Sequence, residues 1–213
     1  MKVNYDKTKL ILFNPGYSRD FLPKFTMNND EIKMVEETKL LGVVVRSDLS
    51  WSSNTSYIVT RSNKKLWMLR RLKILGANHD DLKDIYFKQI RSILEFAVPV
   101  WHSSLTNFDR LRIERIQKSA LYIILGEQYQ SYTHALKVLA VDPLFKRRQK
   151  ICRTFTKKCL KNSKFSKWFK KNERTTVTRG NQPKFCHVQS RTVRFEKSAI
   201  GYMTELLNKL KQA

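Results

Sequence analysis

The spacing of hydrophobic residues changes from a strand-like to a helical pattern near residue 51. Before that point the apolar runs are short, and they predict strands at residues 8–13 and 39–45. Residues 25–34 predict a polar hairpin with Asn28, Asn29 and Asp30 at its tip. Gly42, inside the second strand-like run, predicts a bulge or a close backbone approach. We therefore expect a small β piece at the start of the chain.

After Trp51, apolar residues recur every three or four positions, which predicts a series of helices. The first should end at Gly76, the second should kink or stop at Pro99, and the third should close at Gly126. A short fourth helix covers residues 132–139, residues 171–190 read as loop, and a last helix begins near Ser198. The predicted inward face of the first helix is Ile58, Ser62, Leu66, Leu69 and Leu72. That of the second is Leu82, Ile85, Gln89, Ile93, Phe96 and Val100. That of the third is Phe108, Leu111, Arg115, Ala120, Ile123 and Ile124.

A fifth helix is predicted from Asp142, as N-cap, and Pro143, in the first turn, through Leu160. Its anchors to the bundle are predicted to be Leu144, Ile151, Phe155 and Leu160. The expected fold class is α+β, with a small antiparallel β piece followed by a mostly α-helical bundle and a basic helical region. The predicted divisions are residues 1–51, 52–142 and 143–213.

Positive charge is concentrated in the last third of the chain. The whole chain has 42 Lys and Arg against 18 Asp and Glu, and residues 143–213 contain 20 of the former against three of the latter. Such a surplus destabilises a compact state unless a polyanion lies against it. Nucleic acid is the first candidate partner, and an anionic membrane surface contacted by residues 146–171 as a basic amphipathic helix is the second.

Composition also bears on location. No apolar run approaches the roughly 20 residues that span a bilayer, and residues 1–7 lack the apolar stretch of a secretory signal. Three cysteines, Cys152, Cys159 and Cys186, are too few for a disulfide framework and favour a reducing compartment. We therefore expect an intracellular protein, nuclear or cytoplasmic.

Acidic, cysteine and histidine residues show no catalytic or metal-binding spacing. Asp80 and Asp81 open a predicted helix, where acidic residues favour the helix dipole, so we interpret them as helix-start residues. Cys152, Cys159 and Cys186 lack the paired spacing of zinc sites, and packing is the favoured interpretation. We therefore predict no catalytic residue and no metal site.

The basic residues form two candidate phosphate-binding strips. We predict nucleic-acid contacts from Arg61, Lys64, Lys65, Arg70 and Arg71 in the first helix and from Lys146, Arg147, Arg148, Lys150, Arg153, Lys157, Lys158 and Lys161 in the fifth. Solvated faces normally mix both signs of charge, and these do not. Phe165, Trp168 and Phe169 follow the second strip, and they either stack on bases or dock the segment on the bundle.

Several segments, in order, resemble the reverse transcriptases of non-LTR retrotransposons, nearest to the jockey-like and chicken-repeat-like LINE elements. These segments are residues 4–13 (NYDKTKLILF), 39–45 (KLLGVVV) with 48–51 (DLSW), 94–101 (LEFAVPVW), 115–120 (RIQKSA) with 125–126 (LG), 143–144 (PL) with 147–148 (RR), and 191–200 (RTVRFEKSAI). Each motif is weak alone, but their shared order makes the resemblance specific.

The resemblance implies a palm edge in residues 1–51, an α-helical thumb in 52–142 and a basic C-terminal region. It also implies a primer-grip strand containing Leu41, Gly42 and Val43. The family's Tyr-x-Asp-Asp motif and palm aspartate are missing from this sequence, so Mg²⁺ is expected only in a full-length polymerase. Gly201 stands where relatives tend to have proline.

The function expected from the resemblance is that of a non-catalytic fragment of an RNA-directed DNA polymerase. It would bind a template–primer duplex through phosphates, independently of sequence, with RNA, DNA or an RNA–DNA hybrid as partner. The alternative is a host-adopted RNA- or DNA-binding protein, and the same basic surface suits both. The membrane-surface interpretation is the third. The oligomeric state is left open by the sequence.

Overall fold

A computed structural model describes residues 8–13, 25–27, 30–172, 184–187 and 189–209. The chain divides into two compact units, Met1–Tyr57 and Ile58–Ala213. Short antiparallel strand pairs lie in the first unit and helices make up most of the second, which confirms the α+β class. The three-part division predicted from the sequence stays a prediction.

The first unit contains two separate antiparallel strand pairs. β1 (Thr26–Met27) pairs with β2 (Asp30–Glu31), and β3 (Glu37–Leu40) pairs with β4 (Val43–Arg46). The predicted strand at residues 8–13 is reduced to one bridge, in which the Leu10 amide donates to the Lys33 carbonyl at 3.0 Å. Asn28 and Asn29, at the predicted hairpin tip, lie outside the described residues.

The prediction of one strand over residues 39–45 is wrong, because this run folds back on itself as a hairpin. Leu41 and Gly42 form its two-residue turn with φ of 47° and 89°. Positive φ at both central residues is typical of the turn whose twist matches antiparallel strands, and glycine adopts it without strain. Gly42 therefore makes a turn and not a bulge. The Val44 amide donates to Asn54 Oδ1 at 3.1 Å and ties the hairpin to the next helix.

The helices follow the predicted order with several interruptions. They are α1 (Ser52–Ile74), α2 (His79–Ile85), a π-helical segment (Tyr86–Arg91), α3 (Ser92–Glu95), α4 (Val98–Trp101), α5 (Asn107–Leu125), a 3₁₀ turn (Gly126–Gln128), α6 (Tyr132–Val138), α7 (Leu144–Lys161), α8 (Ser163–Ser166), α9 (Val193–Glu196) and α10 (Ala199–Lys209). Gly76 and Gly126 follow α1 and α5 with positive φ, as their predicted stop roles require.

The second predicted helix is broken before its proline. Ala97 takes a left-handed conformation, with φ of 52°, and α4 begins at the next residue with Pro99 in its first turn. At the other end, Asn78 Oδ1 caps α2 by accepting from the Asp81 amide at 2.8 Å, so Asp80 and Asp81 lie in the first turn. The helix is therefore interrupted near Pro99 as predicted, but the break is at Ala97 and the proline lies in the first turn of the next helix.

After Leu82, the buried face of this region is displaced from the predicted one by one or two residues at each position. Every fourth residue is buried, namely Leu82, Tyr86, Ile90, Leu94 and Val98, and Trp101 completes the row. Gln89, Phe96 and Val100, which were predicted to face inward, are exposed. A π-helical turn is wider than an α-turn, so a four-residue repeat can stay on one side across residues 86–91. The helical repeat read from the sequence therefore placed residues next to the buried ones on the inward face.

A buried hydrogen-bond network centred on Gln117 joins four parts of the second unit. The Tyr86 hydroxyl donates to Gln117 Oε1, and Gln117 Nε2 donates to the Tyr132 hydroxyl at 2.8 Å and to the Asp142 carbonyl at 3.0 Å. The Tyr132 hydroxyl donates to Glu114. The π-helical segment, α5, α6 and the approach to α7 are thus held by one connected set of polar groups.

Glu114 also fixes the start of α7. Its Oε1 accepts from the Leu144 amide at 3.0 Å, while Pro143 stands at the N-cap position without a side-chain bond. The prediction of Asp142 as N-cap is therefore wrong, because a carboxylate from α5 supplies the acceptor. Phe108 and Leu111, predicted to face the core from α5, are exposed, and Gln117 is fully buried on the face that replaces them.

The end of α7 packs on α10 through a second apolar cluster. Cys159, Phe169, Phe185, Met203 and Leu207 form it. The Asn208 amide and the Phe185 backbone exchange two hydrogen bonds, at 3.0 and 3.1 Å. A Cβ added at Gly201 would overlap the Glu196 carbonyl oxygen, so this position excludes proline and every other side chain without a backbone shift.

Replacing Gln117 by Leu should destabilise the protein by roughly 2–4 kcal/mol, because buried hydroxyl and carbonyl groups would lose their partners. Urea denaturation followed by circular dichroism measures the change. Arg115→Gln, on an exposed position of the same helix, is the matched control and should change stability by about 0.5 kcal/mol or less. A Gln117→Leu variant as stable as this control would contradict a structural role for the network.

Candidate nucleic-acid interface

One side of α7 is buried in a regular stripe. Its members are Leu144, Arg148, Cys152, Thr156 and Cys159. The buried Thr156 hydroxyl has its hydrogen bond within the helix, since it donates to the Cys152 carbonyl at 2.8 Å. Among the predicted anchors Leu144 is confirmed, whereas Ile151 and Leu160 are half-buried and Phe155 is exposed. Cys152 and Cys159 pack in the interior, and burial raises the pKa of the Cys152 thiol to about 12 against the opposing charge of Arg148.

The side of α7 opposite this stripe is a row of cations. At about 100° per residue, the row occupies an arc of roughly 80° centred about 160° from the centre of the buried stripe. We call it the α7 basic face, and its residues are Lys146, Lys150, Arg153, Lys157 and Lys161, all exposed. The α7 sequence contains no acidic residue. Of the eight α7 cations predicted to contact phosphates, five therefore share one exposed face, and Arg147, Arg148 and Lys158 lie elsewhere on the helix.

Arg147 and Lys158 lie beside the α7 basic face, at the edge of a groove between α7 and the α3–α4 region. Arg147 Nε donates to Glu95 Oε1 at 2.9 Å, so an acid from α3 already holds this cation. The groove is about 530 Å³ in volume. Its apolar wall includes Pro99, Val100 and Phe155.

Arg148 is the exception among the predicted phosphate contacts, because its side chain has no exposed surface. No hydrogen-bond partner is found within the described residues for Nε, Nη1 or Nη2. Burial lowers the pKa of Arg148, and the nearby charge of Glu114 acts in the opposite direction. A phosphate on the protein surface cannot reach this guanidinium, so the prediction for Arg148 is corrected to an interior position.

His102 is buried in the same region. Burial, together with the charges of Arg148 and Arg110, lowers the pKa of His102 from 6.5 to about 3. The imidazole packs against the rings of Phe145 and Tyr202, with centroids 5.7 and 5.8 Å away. His102 is therefore neutral at physiological pH. Its ring fills space between the end of α4, α7 and α10 without adding a second buried positive charge.

The basic strip of α1 divides between two sides of that helix. Arg61, Lys64, Arg70 and Arg71 are exposed, and Lys65 is half-buried. From the 3.6-residue repeat, Arg61, Lys64, Lys65 and Arg71 share one side, whereas Arg70 lies on the other. The Arg71 guanidinium is 5.9 Å from the centroid of the exposed Trp67 ring. Only part of the predicted strip can therefore meet one partner surface.

The three aromatic residues after α7 have two different roles. Phe169 is buried in the cluster with Cys159 and Phe185, which fits the docking interpretation. Phe165 and Trp168 stay substantially exposed, with ring centroids 4.9 Å apart. They form an aromatic surface between exposed lysines at 164 and 167, which leaves the stacking interpretation open for this pair.

The predicted primer-grip residues lie on the β3–β4 hairpin. Leu41 is 89% exposed at its tip, Gly42 completes the turn and Val43 is buried. Close to the turn, Lys39 Nζ donates to the Tyr57 hydroxyl at 2.6 Å. The hairpin thus presents two apolar side chains, Leu40 and Leu41, to solvent.

The described residues contain no group of three His, Cys, Asp or Glu side chains placed to hold a metal ion. No helix within the described ranges is long and apolar enough to cross a membrane.

Two functional features were missed in the sequence. One is the role of Glu114 in positioning α7, and no local pattern marks it, because its partners lie 18 and 30 residues away. The other is a groove between α1 and α5 that contains Lys118 and Tyr122. Their spacing of four residues on exposed positions of α5 is a signal that could have indicated a shared face.

Comparisons with protein-family models, with curated proteins and with solved structures found no match to this chain. The resemblance to non-LTR reverse transcriptases therefore stays a hypothesis based on the motifs.

The buried neutral His102 predicts acid destabilisation. Its folded-state pKa of about 3 lies below the unfolded value of 6.5, so the unfolded chain binds more protons between these pH values. Stability must then rise with pH across this window, and the wild type should lose about 2 kcal/mol between pH 7 and pH 5 relative to His102→Phe. Phe keeps an aromatic ring without a titrating group. Parallel stability profiles of the two proteins in urea would rule out this role for His102.

Proposed function

We propose that this chain is a non-catalytic part of a non-LTR retrotransposon reverse transcriptase that binds a template–primer duplex through its phosphates. The observation that carries the binding proposal is the α7 basic face, five exposed cations opposite a buried stripe. A single face of one sign is what a polyanion backbone can contact along its length. Phosphate contacts from flexible lysines carry no sequence information, so binding is proposed to be sequence-independent.

The helix that carries this face is also held rigidly. Glu114 accepts from the first amide of α7, and Arg147 bonds to Glu95 beside the face. These contacts fix the position of the α7 backbone, so binding has to order only the exposed side chains of the face. In the proposed arrangement residues 52–142 act as the thumb, and the β3–β4 hairpin acts as the primer-grip element with Leu41 at its tip.

The proposed polymerase part lacks the aspartates of the family's active site, so its own role is to hold nucleic acid. RNA, DNA and an RNA–DNA hybrid all offer the required phosphates, and the protein would work in the nucleus or cytoplasm. A host-adopted RNA- or DNA-binding protein is the alternative. The exposed rings of Phe165 and Trp168 favour this alternative if the ligand is single-stranded, because unpaired bases can stack on aromatic side chains.

Binding should depend steeply on salt. If about six cations contact phosphates, affinity for an RNA–DNA hybrid should fall roughly 10³-fold between about 50 and 200 mM salt in a filter-binding titration. The triple variant Lys150→Gln, Arg153→Gln, Lys157→Gln should lower the slope of log K against log salt by about three. Vesicles containing anionic lipid, sedimented with the wild type, test the membrane alternative.

The matched control removes three exposed or half-buried cations from other helices, with Lys83→Gln, Lys88→Gln and Lys137→Gln. It should keep the wild-type slope, since total charge falls equally while the α7 basic face stays intact. A flat salt dependence of the wild type, or equal losses in both triple variants, would contradict the proposed interface.

Purified protein given a primer–template, deoxynucleotides and Mg²⁺ should extend no primer, because the carboxylates that hold two metal ions in polymerases are missing from its sequence. Gel analysis of a labelled primer measures this. Any extension above a mock-purified sample would overturn the non-catalytic assignment.

A further inference from the structure

A second groove lies between α1 and α5, apart from the α7 basic face. Its volume is about 500 Å³, within the range of roughly 300–1,000 Å³ that small-molecule sites occupy. The lining residues that matter here are Arg70, Lys73, Ile74, Lys118, Tyr122 and Tyr129. Of the described residues that line it, three are basic and none is acidic. The groove therefore favours an anion.

The cations of this groove are not equivalent. Lys73 Nζ donates to the Ile124 carbonyl at 3.0 Å, so it is held against the last turn of α5. Arg70 and Lys118 are exposed on the two facing helices, and no acid lies within four residues of Arg70 in the sequence. Arg70 is also the α1 cation that points away from the rest of its strip. An arginine and a lysine that line the same groove from two helices suit a phosphate group.

The rest of the lining is aromatic and apolar. Tyr122 is 59% exposed, and Tyr129 packs edge-on against it with centroids 5.2 Å apart. This edge contact fixes one side of the Tyr122 ring and leaves a face for a ligand. The Tyr129 hydroxyl is buried without a hydrogen-bond partner among the described residues, and Ile74 is 74% exposed on the opposite wall. A planar ring would cover these surfaces.

We infer that the groove between α1 and α5 binds one nucleotide unit, with its phosphate at Arg70 and Lys118 and its base against Tyr122. The unit can be a free mononucleotide or an unpaired nucleotide of a strand, since both present a phosphate joined to an aromatic base. The second source rests on the proposed function, in which the α7 basic face holds the neighbouring duplex. Stacking of a base on an aromatic ring tolerates any sequence, in agreement with that function.

The test compares two fluorescent RNA–DNA hybrids, one blunt and one with three unpaired adenines at one end. The wild type should bind the extended hybrid roughly tenfold more tightly, as one stacked base contributes. Tyr122→Leu should remove this preference and keep the affinity for the blunt hybrid. Tyr122→Phe keeps the ring and should keep the preference. Circular dichroism melts check that all variants fold.

Titration with adenosine monophosphate separates the two sources. If adenosine monophosphate at millimolar or lower concentration competes with the unpaired end, the groove binds nucleotides in general. If it does not compete and the wild type still prefers the extended hybrid, the groove binds nucleotides of a strand. Equal binding of both hybrids by the wild type together with no binding of adenosine monophosphate, or an unchanged preference in Tyr122→Leu, overturns the inference. Failure of the wild type to bind the blunt hybrid would instead refute the proposed function. The adenosine monophosphate titration alone would then test whether the groove binds a nucleotide.

Discussion

The second unit depends on a buried amide, that of Gln117, and on a half-buried carboxylate, that of Glu114. Gln117 accepts from Tyr86 and donates to Tyr132 and the Asp142 carbonyl, and Glu114 accepts from Tyr132 and from the first amide of α7. In a low-dielectric interior such bonds are strong, and a missing partner is costly. The position of α7, and with it the direction of its cations, follows from this network.

Burial of Arg148 gives the same helix a second constraint. The guanidinium lies in the interior one turn after the helix start, with the charge of Glu114 and the imidazole of His102 nearby. A buried charge is expensive unless an opposite charge compensates it, so the charge of Glu114 favours Arg148 here, and the lowered pKa of His102 avoids a second buried positive charge. The fold therefore separates one arginine for structure from the neighbouring cations that remain on the surface.

Regular features were predictable from the sequence, and long-range ones were not. The α+β class, the helix order and the stops at Gly76 and Gly126 follow from local patterns. The hairpin at Leu41 was missed because apolar residues continue on both sides of its turn, with Leu40 before it and three valines at 43–45 after it. The inward face of residues 82–101 was displaced because a π-helical turn changes the repeat. The α7 anchors were misassigned because an arginine occupies a core position that hydrophobicity alone gives to isoleucine or phenylalanine.

Lysine footprinting tests the central claim, that the α7 basic face contacts phosphates, most directly. The protein is acetylated with and without an RNA–DNA hybrid at low salt, and mass spectrometry reports the modification of each lysine. The account predicts protection of Lys146, Lys150, Lys157 and Lys161, and unchanged labelling of Lys88 and Lys137, which are exposed on other helices. Equal protection of all six lysines, or protection of the latter two alone, would contradict it.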